Sequence, residues 1–153
     1  MRGTAPNDKE NIMDRSASAV WHGGLKDGKG TISTQSGTLH ETQYSFGTRF
    51  ENGVGTNPEE LIAAAHAGCF SMALSGQLTA ADMPPTSIET TAVVTLEKTD
   101  AGFTVTKIHL TTKATVPGIY AAKFNELATK AKEGCPISRL LKAAEITLDA
   151  TLV

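Results

Sequence analysis

Two cysteines, Cys69 and Cys135, are the residues of this chain best equipped for covalent chemistry. They follow no CxxC pattern and cannot supply a zinc site by themselves. In a reducing compartment a permanent structural disulfide would not survive, so the pair is either two inert buried thiols or a redox couple. Glu59, His66 and Cys69 fall within about 80° of one another on a helical wheel. They form the only polar stripe on an otherwise apolar run. Glu59 equally suits a first-turn acid complementing the helix dipole, and His66 a core histidine. A metal would need three or four converging ligands, whereas His22, His40 and His109 lie on separate segments. Cys69 sits too deep in its helix for the dipole to activate it, so reactivity there requires a cation from elsewhere. Arg49, in Gly47-Thr48-Arg49-Phe50 just upstream, could reach the first half of that helix. Its rigid charged fork is the group that holds a carboxylate and a thiolate together.

The elements that must position these residues are readable in outline. Short strands at Ser18–His22, Thr31–Thr34 and Thr38–Glu41 are separated by Gly23-Gly24, Asp27-Gly28 and Ser36-Gly37, and Tyr44–Phe50 reads as an irregular edge strand. Asn57 then offers an N-cap, Pro58 a first helical residue and Glu60 the third position of a capping box. The helix they open runs to about Ala80, before Pro84-Pro85. It is apolar on nearly every face and rich in Ala and Gly, which predicts a second copy of the chain packed closely against it. A hairpin follows, Ile88–Lys98 and Phe103–Val116, with a phase change between Val105 and Ile108 that indicates a bulge. Gly118–Glu133 is an amphipathic helix with Ile119, Ala122, Leu127, Ala128 and Ala131 inward and a Glu126–Lys130 pair outward. Cys135 lies just past its end, at Gly134-Cys135-Pro136. A helical turn around Ser138–Ala143 leads to a last strand with Ile146, Leu148, Ala150 and Leu152 inward. The class is α+β.

Composition sets the remaining bounds. With 40% hydrophobic and 20% charged residues, the 153-residue chain is globular in composition and sized for one domain. A net charge of −2, with its basic residues scattered, gives no drive toward nucleic acid or an anionic membrane. No apolar run approaches the ~20 residues of a membrane span. Residues 1–15 are polar and mixed in charge and read as a tail, residues 16–153 as the folded domain, and the protein as cytoplasmic.

The runs Tyr44-Ser45-Phe46-Gly47-Thr48-Arg49-Phe50 and Gly55-Thr56-Asn57-Pro58-Glu59-Glu60-Leu61-Ile62-Ala63-Ala64-Ala65-His66-Ala67-Gly68-Cys69-Phe70 closely resemble the OsmC/Ohr family of osmotically induced and organic-hydroperoxide-resistance peroxidases. The likeness continues through Asp100-Ala101-Gly102-Phe103, Val116-Pro117-Gly118, Lys130–Pro136 and Glu145–Leu148, in the wording of the OsmC branch. It implies an intertwined homodimer, with curled antiparallel sheets around two central buried helices and active sites at the subunit interface. It also implies that Cys69 attacks peroxide, that Cys135 resolves the sulfenic acid, and that an arginine and Glu59 support the thiolate. In the Ohr branch that arginine comes from a Gly-Gly-Arg segment. The matching Gly23-Gly24-Leu25-Lys26 has none, so Arg49 is assigned.

The activity so implied is reduction of organic hydroperoxides through a Cys69–Cys135 disulfide, recycled by a lipoyl-type dithiol and needing no cofactor. Phe46, Phe50, Ile62, Phe70 and Met72 are the apolar residues expected to hold the organic tail. The competing class is a non-catalytic module carrying a hydrophobic metabolite at the dimer interface, its cysteines incidental. Loss of both thiols on peroxide treatment separates the two.

Overall fold

The computed structural model describes residues 12–153, so most of the tail expected at 1–15 lies outside the described residues. The chain divides into two compact units, Met1–Asn57 and Pro58–Val153. The first holds an antiparallel sheet of β1 (Ala17–His22), β2 (Lys29–Thr34) and β3 (Thr42–Tyr44), followed by a short helix α1 (Phe46–Phe50). Trp21 and Tyr44 pack tilted with ring centroids 5.4 Å apart, and a Cβ on Gly30 would collide with both rings.

Two expectations fail here, each for a local reason. The strand expected at Thr38–Glu41 is displaced to Thr42–Tyr44, because Glu41 takes a φ of 47°, which a strand cannot hold. The edge strand expected over Tyr44–Phe50 is instead mostly α1. Ser45 caps it reciprocally: the Thr48 N–H donates to Ser45 Oγ at 3.3 Å, and the Ser45 N–H to Thr48 Oγ1 at 2.8 Å. A capping box beats the strand preference of the aromatics around it.

The second unit is built on α2 (Pro58–Ala80), the hairpin β4 (Ser87–Thr99) and β5 (Gly102–Thr115), α3 (Ala121–Gly134), α4 (Pro136–Leu140) and β6 (Glu145–Leu152). Leu96 pairs with Val105 but Thr95 with Lys107, which leaves Thr106 as the extra residue of the bulge. β6 joins the other edge of β5 in parallel, from Lys107↔Glu145 to Ala114↔Leu152, so this sheet is mixed and not wholly antiparallel. The inward alternation of β6 is as expected. On α3, Phe124 joins Leu127, Ala128 and Ala131 in the core, while Ala122 faces out. Glu126 pairs with Lys130 at 3.2 Å and with Lys123 at 3.6 Å.

The core of this unit joins Phe70, Leu74 and Leu78 of α2 to Leu110 and Ala114 of β5 and to Phe124, Leu127, Ala128 and Ala131 of α3. Each large side chain so buried contributes roughly 1.5–3 kcal/mol. Within one chain, however, α2 is enclosed on a single stripe, His66–Phe70–Leu74–Leu78 at every fourth residue. Ala64, Ala65, Gly68, Met72 and Gly76 stay exposed. By length and composition alone the helix would also pass for a membrane span, with a mean hydropathy of 1.3, which corrects the expectation that no such run exists.

Candidate active site

Helix α2 is fixed to the sheet by hydroxyls as well as by its apolar stripe. Ser71 Oγ lies 2.8 Å from Thr90 Oγ1 on β4, Thr90 Oγ1 lies 2.9 Å from Thr112 Oγ1 on β5, and the Thr112 hydroxyl donates to the Glu89 carbonyl at 3.1 Å. Cys69, two residues before Ser71, stands at the flank of the buried stripe and is half-buried.

Cys135 arrives from the opposite direction. It is at once the C-cap of α3 and the N-cap of α4, with φ −55° and ψ 129°. Pro136 is the cause: a residue before proline is pushed out of the helical region, so α3 must end there, while the fixed φ of proline starts the next helix. The Cys135 N–H donates to the Ala131 carbonyl at 3.0 Å, and the Cys135 carbonyl accepts from the Arg139 N–H at 3.0 Å. This held corner leaves the side chain fully buried, and the Cys135 thiol donates to Cys69 Sγ at 2.7 Å. Two residues far apart in sequence thus meet at van der Waals contact or closer.

Burial pushes the Cys69 thiol above its ordinary pKa. Cys135 pushes the same way, because two sulfurs this close resist being charged together, while the Ile137 backbone N–H on Cys69 pulls it down. His66, one turn before Cys69, is wholly enclosed, and burial lowers its pKa and keeps the imidazole neutral. His66 Nε2 lies 2.7 Å from Ser138 Oγ. The trace of that partner in the sequence is one of spacing: with Pro136 as the first residue of α4, Ser138 is one turn after Cys135.

Glu59 lies in the first turn of α2, ten positions before Cys69. Arg49 belongs to the first unit, at the end of α1, with its guanidinium 5.3 Å from the centre of the Phe50 ring. Phe46 and Phe50 pack against each other at 4.8 Å between centroids. On α2, Ile62 is half-buried and Met72 is 79% exposed, while Phe70 is fully enclosed in the core. Among the described residues no group of three or more His, Cys, Asp or Glu side chains is placed to hold a metal ion.

A family model described as OsmC-like protein matches residues 50–150. The chain is 58% identical over 140 residues to the peroxiredoxin OsmC of Escherichia coli (strain K12), an alignment covering 92% of this chain and 97% of that one. It is 37% identical over 100 residues to the organic hydroperoxide resistance protein OhrA of Bacillus subtilis (strain 168), covering 63% and 65% of the two chains. The crystal structure of an organic hydroperoxide resistance protein OsmC from Legionella pneumophila matches with a TM-score of 0.67 at 26% identity, over 89% of this chain and 96% of that one. By sequence and by fold, therefore, the chain belongs to the OsmC-like protein family and is a peroxidase.

Proposed function

We propose that the chain reduces organic hydroperoxides to alcohols, with Cys69 as attacking thiolate and Cys135 as resolving thiol. The observation that carries this reading is the 2.7 Å between the two sulfurs. In the first step the Cys69 thiolate attacks the distal peroxide oxygen. The O–O bond breaks, the alkoxide leaves and takes up a proton, and Cys69 becomes a sulfenic acid. In the second, Cys135 sulfur displaces the hydroxyl, which leaves as water, and a disulfide forms. A dithiol of lipoyl type then returns both residues to thiols by exchange and is itself oxidised to a cyclic disulfide. The exposures support these roles: Cys69 is partly accessible, whereas Cys135 is wholly enclosed and its thiol donates to Cys69 Sγ.

Because burial and Cys135 both raise the Cys69 pKa, the thiolate needs compensation. The Ile137 N–H supplies part of it, and Arg49 and Glu59 are the charged residues proposed to supply the rest. Phe46, Phe50, Ile62 and Met72 are the apolar residues proposed for the organic tail, and Phe70 is enclosed in the core. The exposed small-residue stripe of α2 is covered by a second copy of the chain, which makes the functional unit a homodimer. The reaction calls for no metal or prosthetic group, nucleic acid or membrane, and its place is the cytoplasm.

The test is kcat/KM for tert-butyl or cumene hydroperoxide against hydrogen peroxide, with dihydrolipoamide as reductant. Each buried methylene is worth about 0.8 kcal/mol, so even half the value of a four-carbon tail favours the organic substrate about tenfold. Equal values would remove the organic substrate from the proposal. Cys69→Ser retaining a tenth of the wild-type rate would remove the nucleophile.

A further inference from the structure

The proposed chemistry uses two sulfurs and leaves one buried titratable group without a task. His66 is fully enclosed, its Nε2 is 2.7 Å from Ser138 Oγ, and its Nδ1 has no hydrogen-bond partner among the described residues. A buried imidazole nitrogen left unpaired is a standing loss of stability. An apolar ring in the same place would pack without it, so what the imidazole adds is the bond to Ser138.

That bond ties together the two segments that carry the cysteines. His66 precedes Cys69 by one turn of α2, and Ser138 follows Cys135 by one turn of α4. The sulfur pair and the imidazole–hydroxyl pair are therefore two neighbouring rungs between the same two helices. Helix α4 is also tied to α2 by the Ile137 backbone N–H on Cys69. It is five residues long, too short to persist unaided, and Ser138 is its only buried residue. Its Leu140 is 74% exposed.

The geometry points to His66 and Ser138 as a positioning pair: a clasp that seats α4 on α2 so that Cys135 sulfur meets Cys69 sulfur when the disulfide is to form. Among the described residues neither His66 nor Ser138 is hydrogen-bonded to a sulfur. The step they serve is the one in which the Cys69 S–O bond breaks, the S–S bond forms and the thiol proton of Cys135 leaves with the hydroxyl as water. The assignment of that step rests on the peroxidase reading; the seating of one thiol on the other does not.

The experiment uses the full chain and two variants, Ser138→Ala and His66→Phe, with Ser138→Thr as the conservative control. Equilibration of reduced protein with oxidised dithiothreitol measures how readily Cys69 and Cys135 pair, with no peroxide present. Loss of the clasp should lower that pairing constant about tenfold, the weight of one hydrogen bond, and Ser138→Thr should restore it. With one equivalent of tert-butyl hydroperoxide, oxidation of Cys69 should keep its rate within twofold while disulfide formation slows about tenfold.

A wild-type pairing constant in either folded variant would overturn the clasp. So would a Ser138→Thr protein as impaired as Ser138→Ala, since packing and not the hydroxyl would then be responsible. A wild-type protein whose thiols survive peroxide, with the dithiothreitol shifts intact, would remove the peroxidase reading and leave the clasp standing.

Discussion

Replacing Cys135 by serine separates the two chemical steps proposed for the site. The substitution leaves a hydroxyl where the buried thiol was, and a hydroxyl cannot form a disulfide with the sulfenic acid of Cys69. The native sulfurs lie 2.7 Å apart, inside the ~3–3.5 Å of a near-attack pair. Well-oriented intramolecular pairs reach effective molarities on the order of 10⁵ M or more. Discounting that a thousandfold for the shift that accommodates the added oxygen leaves about 100 M. Against an external thiol at about 1 mM, loss of the internal partner slows resolution roughly 10⁵-fold, or about 7 kcal/mol of barrier. The assay is stopped-flow oxidation with one equivalent of tert-butyl hydroperoxide, followed by dimedone trapping and mass analysis. Cys135→Ser should reduce one equivalent at the wild-type rate and then stall with Cys69 labelled. A sulfenic acid that decays equally fast with and without Cys135, or a Cys69 that never takes the label, would refute the reasoning.

Arg49→Ala should raise the Cys69 pKa further, because the remaining influences of burial and Cys135 both act in that direction. The thiolate fraction at neutral pH then falls and alkylation slows several-fold, with Glu59→Ala showing a smaller effect of the same sign; an unchanged pH profile of alkylation would hand the role to another cation such as Lys26. Ala65→Glu, on the exposed stripe of α2, should abolish a dimer seen by sedimentation in the wild-type protein or prevent folding, because the charge would be driven into a close helix contact. A wild-type protein sedimenting as one stable chain at micromolar concentration would contradict the homodimer.

The parts of the fold that sequence made legible are those with a local cause. Helix α2 keeps its expected ends because Pro58 opens it and Pro84-Pro85 bars continuation, and the bulge at Thr106 showed in the phase change between Val105 and Ile108. Helix α1 was hidden because its signal is one serine and one threonine among aromatics that favour strands. The alternation of β6 gave its inward face but not its direction, since a period of two is the same read either way; only the pairing with β5 reveals a parallel strand. At the site, Cys69 and Cys135 stood out by residue type. His66 stayed ambiguous because its meaning depends on Ser138, 72 residues away. Arg49 and Glu59 rest on family likeness and remain proposals.

The parallel seating of β6 also governs when the two thiols can meet. Strands that run alongside in the same direction cannot be joined by a tight turn, so residues 116–144 must travel back the length of the sheet, and Cys135 rides on that return path. The β4–β5 hairpin closes over a loop of two residues and needs only local encounters, on the order of microseconds. Closure of β6 onto β5 requires a long excursion and comes later. During refolding, Cys69 therefore spends its first moments without Cys135 beside it and can be captured by a thiol of another chain. Once β6 docks, the same oxidising conditions drive the sulfur toward its own partner. Refolding in the presence of a reductant until the last strand has closed is thus what lets the finished protein choose an internal disulfide over a crosslinked aggregate.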